Sequence, residues 1–209
     1  FRNIIINGDM SIAQRGTSAT GLGNGDTGYH TCDRWKWTEG GSPTYEFTMS
    51  QETDVPSAQG FSNSLKYDCT TADTSFASSD LLRLQQPIEG QNLQYLKKGT
   101  ANAESVTASF WVKSNKTGTY IAELEDRDNS RYVSQSYTIS SANTWEKKTV
   151  TFPADTSGAF DNDNAESLRL NFWLGAGSNF TSGTLSNTWH TTNANRAVGQ
   201  VNLADSTSN

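Results

Sequence analysis

Cysteine, histidine and charged residues are all scarce in this sequence. Its 209 residues include two cysteines and two histidines, and Asp, Glu, Lys and Arg make up 18% of the chain, against about 25% in an average domain. Two cysteines cannot make a metal site of the usual spacing. We predict that Cys32 and Cys69 are buried thiols, with one disulfide as the alternative. Ser, Thr, Asn and Gly supply the polarity instead, which is typical of extracellular and virion β-proteins.

The sequence also lacks long apolar runs and an excess of positive charge. No stretch approaches the roughly 20 apolar residues of a membrane span, and the chain begins at Phe1 without a readable signal peptide. The net charge is -6, so nothing would displace the counterions of a nucleic acid. We therefore predict neither nucleic-acid binding nor membrane insertion.

Catalytic motifs are missing as well. The sequence contains no G-x-S-x-G, no H-E-x-x-H and no P-loop. Glu123 with Glu125, and Asp161 with Asp163, have a spacing nominally compatible with glycosidase chemistry. A solvated strand face explains the two glutamates, and a polar turn before a strand explains "DNDNAE" at 161–166, which lacks the Gly and Glu of an EF-hand loop. We predict no catalytic residue and no cofactor, and a structural calcium ion has no support in the sequence.

Period-two alternation is the dominant pattern and predicts β-strands. In "VTASFWVK" (106–113) apolar residues alternate with Thr, Ser, Trp and Lys, and "SLRLNFWL" (167–174) repeats the scheme. The same alternation occurs at 45–49, 132–139, 146–152 and 200–205. Turn clusters rich in Gly, Asn and Asp separate these segments, and a short helix is expected only near 88–99. The sequence predicts an all-β, two-sheet antiparallel sandwich with about eight to ten strands and very little helix, as a single domain over residues 1–209.

Two tryptophans fall on the polar sides of these strands. If Phe110 and Phe172 face the core, then Trp111 and Trp173 point outward. Indole rings beside polar groups suit sugar recognition, because a pyranose stacks on the ring while amides and charges bind its hydroxyls. The alternatives are cover by a loop or neighbouring subunit, and casual exposure. If both strands share a sheet, the contact face consists of Ser109, Trp111, Lys113, Arg169, Asn171 and Trp173.

Complementary charges flank the first loop. Asp9 and Arg15 precede it, and Asp33 and Arg34 follow it beside Trp35. Guanidinium groups bind carboxylates in bidentate fashion. We predict a structural lock between the first two strands, covered by Trp35, and not an active site.

Five strings occur in an order that resembles one family. They are "NIIINGDMSIAQRGTS", "DRW", "VTASFWVKS", "TWEKKTVTFPADTSG" and "LRLNFWLGAGS". The series resembles the jelly-roll domain of tail-fibre and related virion proteins of tailed bacteriophages, marine ones in particular. That domain is similar to carbohydrate-binding modules with an "N-G-D-F"-type opening. Two features depart from the pattern: Met10 or Ser11 stands where such modules often hold a calcium-binding Glu, and a further strand expected after 209 is absent.

The resemblance implies a jelly roll that is part of a longer chain in a virion. It implies a non-catalytic tail-fibre or head-decoration adhesin, assembled with other virion subunits in a homo-oligomer, with a trimer favoured, and contacting host-surface polysaccharide. The alternative is a carbohydrate-binding module of a secreted bacterial glycan-degrading enzyme. An autonomous hydrolase is a third hypothesis, supported only by the acid pairs.

Overall fold

The chain folds almost entirely into β-strands. The computed structural model describes residues 3–207 and contains ten strands. They are β1 (Ser18–Leu22), β2 (Lys36–Gly40), β3 (Glu46–Glu52), β4 (Ser64–Thr71), β5 (Leu81–Glu89), β6 (Val106–Val112), β7 (Gly118–Asp126), β8 (Arg131–Ile139), β9 (Glu146–Phe152) and β10 (Glu166–Ala176). Helical structure consists of α1 (Ser178–Thr181) and 3₁₀ turns at Gly90–Asn92, Gln94–Leu96 and Asn193–Asn195. The predicted all-β class with little helix is confirmed.

The strands form three antiparallel sheets. The largest has the order β2-β5-β10-β7-β8, and the two others have the orders β1-β3-β4 and β6-β9. One apolar cluster joins Phe47 of β3 to Trp37 and Leu82 on the large sheet. A second cluster joins Phe152 of β9 to Leu124 of β7. One layer of the sandwich is therefore the five-stranded sheet, and the other layer is divided between the two smaller sheets; a jelly-roll connectivity stays a prediction.

The apolar faces predicted from alternation point into this core. Leu168 and Leu170 of β10 and Val133 of β8 are buried, and Phe110 of β6 packs against the same cluster. Burial of such faces is the main favourable contribution to folding. Cys32 and Cys69 are also buried, and neither is in a disulfide, which confirms the prediction of two buried thiols.

Two segments differ from their predictions. The helix predicted near 88–99 is replaced by the two 3₁₀ turns at Gly90–Asn92 and Gln94–Leu96, and no α-helix forms there. The amides of Leu93 and Leu96 each bond to the carbonyl three residues back, and both side chains are buried. Residues 200–205 form no strand. The amides of Val201 and Leu203 bond to carbonyls of β7 and β10, so this segment crosses the ends of strands instead of pairing along one.

A covering segment lies on the outer face of the five-stranded sheet. It comprises residues 178–200 and includes α1 and the 3₁₀ turn at Asn193–Asn195. Phe180, Leu185 and Ala197 of this segment pack against Ile121 and Trp173 of the sheet. The face that a two-layer sandwich would leave in water is therefore buried here.

The first loop is held mainly by Asn7. Its side-chain amide donates to the carbonyls of Ile12 and Asp33, each at 2.9 Å, and its side-chain oxygen accepts from the Ile12 amide at 2.9 Å. The buried ring of Trp35 donates to the Asn7 carbonyl at 2.9 Å. Asn7 has φ 54°, a conformation that Asn tolerates better than most residues.

The predicted ionic lock is present only in part. Arg15 and Asp33 are 3.3 Å apart, but the Arg15 side chain is 54% exposed. Arg34 pairs with Glu89 of β5 at 2.8 Å and not with a carboxylate of the first loop. Asp9 accepts a hydrogen bond from Ser11 and makes no ion pair among residues 3–207. The prediction was wrong for Asp9 and Arg34, because the loop's own amide and carbonyl groups are satisfied by Asn7.

We expect Asn7→Gly to lower the free energy of unfolding by about 1.5–3 kcal/mol, since it removes three hydrogen bonds while keeping the left-handed backbone accessible. Asn7→Ala should cost more, because alanine adds backbone strain at this φ. Arg15→Ala should cost at most about 1 kcal/mol, as for other exposed ion pairs. Urea unfolding of the three variants measures these differences. An Arg15→Ala loss as large as that of Asn7→Gly would restore the ionic lock as the main constraint.

Among the described residues, no helix is long and apolar enough to cross a membrane.

Candidate functional site

A network of ion pairs is buried between the five-stranded sheet and the covering segment. Glu123 and Glu125 of β7 are 0% and 2% exposed. Arg196 of the covering segment binds Glu123 in bidentate fashion, at 2.6 and 2.8 Å, and Arg83 of β5 lies 3.1 Å from Glu125. The prediction of a solvated face for the two glutamates was therefore wrong.

Three residues of the predicted contact face belong to this interior network. Asn171 donates to Glu123 at 2.8 Å and to Glu125 at 2.9 Å, and the Trp173 indole donates to Glu123 at 3.3 Å. Arg169 pairs with Glu166 and lies 3.8 Å from Glu125. Both Asn171 and Trp173 are 0% exposed. Alternation placed these side chains opposite Phe172 correctly, but the covering segment makes that side an interior, so they are not a contact surface.

The arginines keep this network ionised. Burial alone would raise the pKa of Glu125, but the charges of Arg83 and Arg196 and the Asn171 hydrogen bond lower it to about 2. Burial lowers the pKa of Arg83 to about 10, against the opposing effect of Glu125. A general acid must carry a proton near the working pH. Glu125 is therefore unsuited to donate a proton at neutral pH.

Trp111 lies on a different sheet from Trp173. It belongs to β6, in the two-stranded sheet, so the condition on which the predicted contact face depended, that both strands share a sheet, is not met. The register pairs Trp111 with Lys147 and Ser109 with Thr149. Trp111 is partly exposed, while Ser109, Lys147 and Thr149 are exposed. These side chains share the face opposite Phe110, because cross-strand partners lie on the same side of a sheet.

Lys113 and Trp145 extend this surface by one step beyond the paired strands. The Lys113 ammonium lies 5.7 Å from the centre of the Trp145 ring. Trp145 precedes β9, and sequence reasoning missed it because it lies outside the alternating segment 146–152. We define the indole face as Ser109, Trp111, Lys113, Trp145, Lys147 and Thr149.

A carboxylate from a loop of the three-stranded sheet contacts the indole face. Asp54, between β3 and β4, accepts a hydrogen bond from the Trp145 indole at 3.0 Å and forms an ion pair with Lys113. The hydrogen bond from Lys113 has the largest effect on the Asp54 carboxyl, and that from Trp145 the next largest. Together they hold its pKa below its ordinary value, although the side chain is 58% exposed.

A second buried charge cluster centres on Lys98. Its ammonium lies 2.5 Å from Asp126 and 3.1 Å from Asp155, and it donates to the carbonyls of Ser157 and Gly158 at 2.9 and 2.7 Å. Arg131 binds the Asp155 carboxylate in bidentate fashion. Within the described part of the chain, no group of His, Cys, Asp and Glu side chains is arranged to hold a metal ion.

An apolar cleft separates the two smaller sheets. β4 pairs only with β3, and β6 pairs only with β9, so each has one edge without a strand partner among residues 3–207. Leu65 and Tyr67 of β4 and Phe110 of β6 line the space between them, together with Leu84 and Phe172 of the five-stranded sheet. The Tyr67 hydroxyl is buried and has no hydrogen-bond partner in the described chain. Unpaired edges beside apolar surface are favourable places for another chain to bind.

A solved bacteriophage structure is similar to part of this chain. No protein-family model matches the sequence, and no curated protein matches it. The crystal structure of bacteriophage CBA120 tailspike protein 4, enzymatically active domain, is similar with 20% sequence identity and a TM-score of 0.42. The similarity covers 73% of this chain but only 19% of that protein's chain.

Proposed function

We propose that this chain is a non-catalytic domain of a bacteriophage virion, in a tail fibre or a head decoration, that contacts host-surface glycans and other virion subunits. The sequence resemblance suggests the virion. The observation that carries the binding role is the indole face, where two tryptophans lie beside lysines and hydroxyls. Such a surface offers both a stacking platform and hydrogen-bond donors to a sugar.

Contact with other subunits is supported by the apolar cleft. Large exposed apolar surfaces on soluble proteins usually mark interaction sites. We assign the cleft to a second copy of this chain, because virion appendages of the type that the sequence resembles are homo-oligomers, with a trimer favoured. Strand edges on β4 and β6 would give that contact backbone hydrogen bonds as well as apolar area.

The absence of catalysis is part of the proposal. The glutamate pair that matches glycosidase spacing is engaged by Arg83 and Arg196. Buried ionised carboxylates without access to a substrate do not serve as acid and nucleophile. The alternative, a carbohydrate-binding module of a secreted bacterial enzyme, would share the indole face but is expected to be monomeric.

We expect Trp111→Ala to weaken binding to a retained glycan by about 2 kcal/mol or more, roughly thirtyfold in Kd, because a stacked ring is typically a binding hot spot. The melting temperature should stay nearly unchanged, since Trp111 lies outside the core. Glycan-array screening followed by titration calorimetry measures the effect, and Tyr29→Ala, at an exposed aromatic on another surface, is the control.

Three results would contradict the proposal. Trp111→Ala binding as tightly as wild type would remove the indole face as the glycan site. A monomer by light scattering would favour the module over the virion subunit. Release of reducing ends from the bound polysaccharide would refute the non-catalytic role.

A further inference from the structure

We infer that Lys113, Trp145 and Lys147 form a binding site for the carboxylates of an acidic glycan, and that the Asp54 side chain occupies the place of one such carboxylate. The inference rests on the proposed glycan contact of the indole face and adds the chemical class of the ligand. It also gives the loop between β3 and β4 a role as a competing internal ligand.

The Asp54 contact has the geometry of carboxylate recognition. Its two oxygens are bound by different donors, one by the Trp145 indole N–H and the other by the Lys113 ammonium. Charge-assisted bonds of this kind are stronger than those between neutral groups. The Lys113 ammonium also lies 5.7 Å from the Trp145 ring centre, a distance at which the cation and ring attract each other. The two donors therefore also contact each other directly.

Asp54 is suited to be displaced. The carboxylate comes from a loop of the three-stranded sheet, whereas both donors belong to the two-stranded sheet and its flanks. The side chain is 58% exposed, and exposed ion pairs are weak because water and salt screen them. A ligand carboxylate presented beside a stacked sugar ring would compete with this single contact.

Lys147 gives the site a second positive charge. It lies beside Trp111 in the strand register, is exposed, and makes no ion pair among the described residues. Lys113 and Lys147 are diagonal neighbours across the strand pair. The Cα atoms of such neighbours are about 7–8 Å apart. The protein as a whole has a net charge of -6, which repels polyanions elsewhere. A polysaccharide with carboxylates on successive sugars would therefore be attracted to this face.

The test is affinity electrophoresis and calorimetry of the full chain with polygalacturonate and with its methyl ester, which keeps the sugar backbone but removes the charges. Wild type is expected to prefer the acidic polymer. Lys113→Met should weaken binding to it about three- to fivefold, the upper range for the loss of an exposed ion pair. Asp54→Asn should tighten binding about two- to fivefold, since it removes a weak competing pair.

Matched controls are Lys66→Met and Asp68→Asn, which remove the same charges from an exposed pair 3.3 Å apart on β4. Neither should change binding more than about twofold, because long-range charge effects are screened. Asp54→Asn without tighter binding, together with Lys113→Met that binds like wild type, would overturn the carboxylate site. If the methyl ester still binds through Trp111, the carboxylate site is refuted but the proposed glycan contact of the indole face is retained. If neither polymer nor any neutral glycan binds, the proposed function fails as well.

Discussion

Replacing Arg196 with methionine is expected to destabilise the protein by about 3–5 kcal/mol, the usual cost of breaking a buried ion pair by removing one partner. Methionine keeps an unbranched apolar side chain but loses the contacts of the guanidinium, which lies 5.4 and 3.8 Å from the Trp173 and Tyr132 ring centres. It also loses the bidentate bond to Glu123, whose carboxylate is 0% exposed, and the 3.1 Å ion pair with Glu125. Urea unfolding measures the difference.

Arg127→Met is the matched control for this variant. Arg127 also binds a glutamate of the network, Glu125 at 2.9 Å, but its side chain is 43% exposed. Its loss should cost at most about 1 kcal/mol. Adding Glu123→Gln to Arg196→Met should recover part of the stability, because the uncompensated charge is removed. An Arg196→Met protein as stable as wild type would mean that the covering segment is held by its apolar contacts and its backbone hydrogen bonds to β8, and not by this ion pair.

The same network predicts the response to acid. The folded-state pKa of Glu125 is about 2, below its ordinary value of 4.5. Its ionised form therefore stabilises the fold fully above about pH 4.5, and this contribution is lost as the pH falls towards 2. Arg196 is one cause of the low pKa, so in Arg196→Met the folded-state pKa of Glu125 should lie nearer its ordinary value, and the loss of stability between about pH 4.5 and pH 2 should be smaller than in wild type. Melting temperatures measured between neutral pH and pH 2 would show the difference.

The alternation of β10 illustrates how far the sequence predicts this structure. Period two correctly placed Leu168, Leu170 and Phe172 on the core side and Asn171 and Trp173 on the other. It could not predict that the other side is also buried. That depends on residues 178–200, which have no regular pattern and reach the sheet through scattered contacts such as the pair of Arg196 with Glu123 and the bridge between His190 and Tyr132. A sequence period reports the direction of a side chain and not what lies opposite it.

The residue composition of the polar side of β10 differs from that of an exposed strand face. This side of β10 carries Arg, Asn and Trp. Two glutamates on β7 and Arg83 on β5 lie on the same side of the sheet, so its charges are balanced and small hydroxyl residues are few. The face of β6 that is truly exposed carries Thr107 and Ser109 beside its single Trp111. To predict which opposite charges pair across neighbouring strands, the strand order must be known. The alternation of residues along a single strand does not reveal that order. The Asp54 contact with Lys113 and Trp145 was unpredictable for the same reason.

We expect Lys98→Met to cost about 3–5 kcal/mol, because the ammonium balances two carboxylates in a nearly dry site. The Lys98 side chain is 5% exposed, and those of Asp126 and Asp155 are 0% and 5% exposed. Arg131 still neutralises Asp155 in the variant, so the unbalanced charge is that of Asp126. Lys97→Met is the matched control at the adjacent position, where the lysine is 52% exposed and pairs with Glu104. It should change the stability by at most about 1 kcal/mol.

Lys98→Ala separates charge balance from packing at this site. Removing the side chain leaves the oxygens of Asp126, Asp155, Ser157 and Gly158 around an open space, and these are the hard oxygen ligands that calcium prefers. Millimolar calcium should therefore raise the melting temperature of Lys98→Ala but not that of Lys98→Met, whose side chain fills the space. Magnesium should be less effective, because it demands a stricter octahedral geometry. Lys98→Met as stable as wild type, together with a strongly destabilised Lys98→Ala that does not respond to calcium, would show that Lys98 acts through its packing near Phe160 and Trp189, whose ring centres each lie 5.1 Å from its ammonium, more than through its charge.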